Sequence, residues 1–142
     1  MPCLCSGLTR SSGEMTVQQT QVVTLGAAGI LLERLREFAL ARHIFLRETS
    51  QLSACRDLLQ SARPAAFVLV LGRDLERELA LLELAHACLP GTSIIVVGEA
   101  DNPALAGLAW ELGAMCALFP PTPMEKITEV LEAILKASEH AT

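Results

Sequence analysis

A chain of 142 residues falls at the common size of one domain and is long enough to bury a single substantial core. Its 51% hydrophobic and 19% charged residues, with a mean hydropathy of +0.42, fit a deeply buried interior, and apolar runs such as 65–71, the longest, and 94–97 fall far short of the ~20 residues of a membrane span. A net charge of -5 without a basic stripe argues against nucleic acid as a partner, as the apolar runs argue against a membrane.

Residues 1–20, with Ser6, Gly7, Ser11, Ser12 and Gly13 and no periodicity, read as a flexible leader, and Met15 is an alternative start. The leader lacks the apolar stretch of a signal peptide, so a cytoplasmic location is expected. Cysteines 3, 5, 55, 88 and 116 form an odd set without a CxxC pair and read as free thiols. Cys3 and Cys5 make a CxC pair, but no second pair or nearby His completes a metal site. No metal or other cofactor is expected.

From residue 21 onward strand and helix patterns alternate: strand 21–25, helix 30–41, strand 43–47, helix 50–61, strand 66–71, helix 75–88, strand 93–98, helix 103–112, strand 117–119 and helix 123–137. The helices carry apolar stripes at helical spacing, Ile30, Leu31, Leu35 and Phe38 in the first and Met124, Ile127, Val130, Leu131 and Ile134 in the last. Strands 66–71 and 93–98 are continuously apolar and β-branched, the pattern of central parallel strands covered on both faces. Ser50, Asn102-Pro103 and Thr122-Pro123 mark helix starts, and Gly113 marks a stop. Five βα units with short connections predict an α/β fold, a doubly wound five-stranded parallel sheet of order 2-1-3-4-5 between two helix layers. The domain is expected over 21–138, with a tail over 139–142.

Several residues could carry chemistry. Asp74, Glu76 and Glu78 could form an acidic site, but acids at a helix start are also what the macrodipole favours. Glu99 and Asp101 follow the fourth strand at the sheet edge where open α/β folds bind ligands, but a solvated loop is the plainer account of them. Residues 26–29 (Gly-Ala-Ala-Gly) could offer amides to a phosphate, yet they lack both GxGxxG and a P-loop lysine and fit a tight turn. His43, His86 and His140 have no Cys or Asp at catalytic spacing, and no enzyme is expected. If Leu105, Leu108, Ala109 and Leu112 form the buried stripe of the fourth helix, Trp110 points away from it, either as an interface anchor or packed on Phe119.

The C-terminal third is similar to the receiver domains of response regulators (CheY-like): Gly113-Ala114 precedes the fifth strand, and Pro120-Pro121 follows it where receivers have Lys-Pro. Residues 63–66 (Arg-Pro-Ala-Ala) resemble the lead-in to the phospho-acceptor strand, and the resemblance spans about residues 20–138. It implies Mg²⁺-assisted phosphorylation of an aspartate, but the family's positions are substituted here. The stretch expected to hold the acidic pair reads Thr24-Leu25-Gly26-Ala27-Ala28, and the acceptor slot falls on Val70 or Leu71. The switching Ser/Thr falls on Gly98, and the phosphate-pairing lysine falls on Pro120. The resemblance therefore implies a degenerate pseudo-receiver: a phosphorylation-independent signal-transduction module with a protein partner or a homodimer. Its contact face would be the fourth helix, fifth strand and fifth helix, with Trp110 and Phe119 as candidate interaction residues. The alternative is a flavodoxin-like binder of a nucleotide or another small ligand, using the 26–29 turn and the 98–102 loop.

Overall fold

A computed structural model of the chain describes residues 20–123 and 125–140, with side chains as far as residue 137. The expected leader, apart from Thr20, lies outside the described residues, as do Cys3, Cys5, Met15 and Met124. The elements run β1 (Gln21–Leu25), α1 (Gly29–Arg42), β2 (Phe45–Thr49), α2 (Leu52–Ala62), β3 (Ala66–Val70), α3 (Leu75–Cys88), β4 (Ser93–Val97), α4 (Pro103–Glu111), β5 (Cys116–Leu118) and α5 (Lys126–His140). All strand pairs are parallel and the order is β2-β1-β3-β4-β5, as the alternating pattern predicts. None of the helices among the described residues is long and apolar enough to cross a membrane.

The central strand is β3, whose Ala66, Phe67, Val68 and Leu69 are fully buried. Because successive side chains alternate between faces, Phe67 and Leu69 enter one core cluster with α2, α3 and α4, while Ala66 and Val68 enter a second with α1 and α5. This two-sided burial accounts for the unbroken apolar run.

Beyond one-residue shifts at other element ends, four departures from the sequence expectations stand out. The second strand begins at Phe45, two residues late, because His43 turns left-handed (φ 56°) to close α1 and Ile44 N–H donates to Ala39 O at 3.0 Å. The helix expected from Ser50 begins at Leu52: β2 continues to Thr49, whose Oγ1 accepts the Gln51 N–H at 3.2 Å. The last helix begins at Lys126 rather than Pro123, after a turn in which Lys126 N–H donates to Pro123 O, and it continues to His140. Ile30, placed in the buried stripe of α1, is exposed, while Leu31, Leu35 and Phe38 of that stripe are buried. The β2 edge is guarded by charge: Arg36 grips Glu48 at 2.7 and 2.8 Å, and Arg47 lies 4.7 Å from the Phe45 ring centroid.

Candidate functional site

The fold gathers the positions singled out by the resemblance at the carboxyl edge of the sheet. Leu71 N–H donates to Val97 O at 2.9 Å and Gly98 N–H to Leu118 O at 3.0 Å, so β3, β4 and β5 end level with one another. Leu71 is buried, and Val70 is half-buried against Gly26: a methyl group built on Gly26 would lie 3.5 Å from Val70 Cβ. Thr24, the one hydroxyl in the 24–28 segment, is buried and donates to Val68 O at 3.1 Å. Gly26 adopts φ +84°, a conformation that glycine adopts readily and other residues resist.

Gly98 lies directly beneath the Phe119 ring, and a methyl group there would sit 2.2 Å from the nearest ring carbon. A hydroxyl-bearing side chain therefore has no space at this position. Phe119, weighed as a contact residue, is 7% exposed and turned inward: its ring fills the gap that the missing side chain of Gly98 leaves, and apolar burial drives it there. Pro120 follows, half-buried, with neither a charge nor an N–H to offer. Val70, Leu71, Gly98 and Pro120 thus present aliphatic surface and bare backbone, with no side-chain carboxylate, hydroxyl or ammonium among the four.

Beside this edge, Glu78 has a role that sequence reasoning missed. It is 4% exposed, and its carboxylate accepts the N–H of Gly72 at 3.0 Å and those of Arg73 and Asp74 at 3.3 Å each. Three amide donors compensate the buried charge and hold the β3–α3 loop. The arrangement is akin to a capping box in which the acid reaches back to the helix entry, but from one position later than usual; the only sequence signal was a Glu in the opening turns of α3. Asp74 takes the N-cap position without a side-chain cap bond and pairs with Arg77 at 3.5 Å. Glu99 and Asp101 are exposed, and a methyl group on Gly72 would lie 3.4 Å from Glu99 Oε1. No group of three or more His, Cys, Asp or Glu side chains able to hold a metal ion occurs among the described residues.

The α4 face is of a different kind. Asn102 caps the helix by accepting the Leu105 N–H at 3.1 Å, with Pro103 in the first turn, as the sequence predicts. The expected buried stripe is only partly realised: Ala109 is buried, Leu105 and Leu112 are half-buried, and Leu108 faces outward. Trp110 is 52% exposed, with Met115 and Leu108 also exposed nearby in the chain. The end of α4 is pinned where the His86 ring lies against Gly113, so closely that a methyl group there would sit 2.3 Å from it. Of the described thiols, Cys55 is buried and pushed up to about 12 by desolvation, Cys116 is also raised by burial against the pull of Lys126, and Cys88 is exposed.

No family model matches the chain, and no curated protein matches its sequence. Solved structures do match its fold. A CheY-like response regulator receiver domain protein from Methanospirillum hungatei superposes with a TM-score of 0.73 at 13% identity, covering 88% of this chain and 100% of that one. The signal receiver domain of an HD domain-containing protein from Pseudomonas fluorescens gives 0.72 at 17%, covering 88% and 100%. The receiver domain of RcsB from Salmonella enterica serovar Typhimurium, described in the presence of the phosphomimetic BeF3-, gives 0.67 at 17%, covering 84% and 90%. With a parallel sheet of order 2-1-3-4-5, helices on both faces and these superpositions over almost the whole of each relative, the chain has the fold of CheY-like receiver domains.

Proposed function

We propose that the chain is a phosphorylation-independent pseudo-receiver, a cytoplasmic signal-transduction module that acts by binding another protein or a second copy of itself through the face around α4. The observation that carries this reading is the carboxyl edge of the sheet. The acceptor slot that the resemblance implies falls on Val70 or Leu71, both aliphatic, and the Phe119 ring fills the space above Gly98. Phosphoryl transfer to a side chain needs a nucleophile and a cation to offset the charge on the transferred group. Neither Val70, Leu71, Gly98 nor Pro120 supplies one. What remains to be used is surface, and α4 offers Leu108 and Trp110 to it.

The test is direct. Incubation with Mg²⁺ and acetyl phosphate, followed by intact-mass measurement, is expected to leave the mass of the protein unchanged. BeF3-, which accompanies the RcsB receiver, should likewise leave the unfolding temperature where it was. A stoichiometric, acid-stable or acid-labile phosphoryl adduct would overturn the reading.

A further inference from the structure

A second surface lies apart from α4. Between α2 and α3 runs an open groove of about 500 Å³, with Leu52, Leu81 and Leu84 in its apolar lining, Arg56 on the α2 side and Arg77 on the α3 side. No acidic residue lines it. The chain as a whole carries a net charge of -5, so a lining with two arginines and no acid stands apart from the average of the molecule. Helix polarity adds to it: the groove reaches the N-terminal turns of both helices, where the macrodipole is positive, and α2 has no acidic residue in its first turn. The first turn of α3 carries two acids: Glu76, which is not part of the groove lining, and Glu78, whose carboxylate is committed to the loop amides; Arg77 meets Asp74 at 3.5 Å while its side chain stays 77% exposed. Arg56 makes no ion pair among the described residues.

We propose that this groove docks an acidic amphipathic helix of a partner protein, its apolar face on the leucines and a carboxylate on each flank facing Arg56 and Arg77. The lining from Arg77 to Leu84 spans seven residue steps, roughly 10 Å, which matches two helical turns of such a ligand and apolar anchors at i, i+3 and i+7. Two segments of the chain itself are poor fits for this role. The exposed apolar helix α4 has one acid, Glu111, and residues 1–19 have one, Glu14, so neither can face both arginines.

The experiment titrates the isotope-labelled full chain with a helix-stapled peptide bearing leucines at i, i+3 and i+7 flanked by glutamates, and in parallel with its lysine-for-glutamate counterpart. Amide shifts should gather at residues 52–56 and 77–84, and the lysine peptide should bind at least about tenfold more weakly, as expected for mismatched charge. The double variant R56E/R77E should exchange the preference and bind the lysine peptide, an outcome that also shows the variant to be folded. Equal binding of both peptides, or shifts centred on α4, would overturn the proposal. So would binding that requires removal of residues 1–19, or a dimer that R56E/R77E dissociates, since either would assign the groove to the chain itself. The outcome is independent of whether the protein accepts a phosphoryl group.

Discussion

Helices α3 and α4 contribute to the same core cluster and are both rich in leucine and alanine, yet they meet different fates. α3 runs for 14 residues and buries Leu81, Leu82 and Ala85 against α2 and the sheet; α4 runs for 9 and buries only Ala109. The sheet is running out under α4, because β5, the strand it accompanies, has only three residues. An apolar side chain is buried only if something lies opposite it. The surplus of α4 is therefore surface, and this separates a helix that holds the fold together from one that leaves apolar side chains uncovered.

Paired truncations sharpen that contrast. Leu82→Ala should cost ~3 kcal/mol in urea unfolding, from lost transfer energy plus a cavity, whereas Leu108→Ala should stay within ~0.5 kcal/mol. Equal costs would break the comparison. Next in size, Gly98→Thr should destabilise by ~2 kcal/mol, because the new side chain collides with the Phe119 ring. The same substitution in a Phe119→Ala background should cost much less, and a thermodynamic cycle over the four proteins measures the coupling. An additive cycle would show that the ring does not hold that site closed.

An effect confined to alkaline pH follows from Cys55 of α2, in the same core cluster as α3 and α4. Burial raises its thiol from 9.0 to about 12, so the folded state keeps the proton to higher pH than the unfolded chain. The stability this contributes is complete below about pH 9 and is lost as the pH climbs from there towards 12. Melting curves from about pH 8 to about pH 11 should fall more steeply for the parent than for Cys55→Ala, and parallel curves would contradict it. The smallest change in stability is expected at α4: Trp110→Ala should alter it by no more than ~0.5 kcal/mol, yet weaken self-association or partner capture by ~2 kcal/mol. Unfolding of that variant would make the ring structural, and unchanged association would place the contact elsewhere.

The fold was legible in the sequence because strands 66–71 and 93–98 are too uniformly apolar to be half-exposed, and because Asn102, Pro103 and Gly113 punctuate helices by mechanisms that need no tertiary partner. What was not legible depends on contacts distant in sequence. Nothing local marks His43 as left-handed, so β2 was read two residues early. Helical periodicity put Leu108 with Leu105 and Leu112, but periodicity does not know where the sheet ends. Gly98 and Pro120 could be seen as missing groups, while the filling of the gap by Phe119 joins residues just past the ends of two different strands. Glu78 looked like an ordinary helix-start acid, because a loop's amides aim at it only once β3 and α3 are in place.

The packing of Phe119 on Gly98 also bears on how such a chain could change over generations. A lineage gaining a hydroxyl-bearing side chain at position 98 would first have to shrink residue 119, opening a hole in the core before any benefit appeared, or else insert the hydroxyl against the ring and lose stability at once. Each single step is costly and only the pair is tolerable, so the two positions form a ratchet. A side chain at position 98 is therefore disfavoured in a single mutational step, and descendants are free to diversify along their surfaces instead.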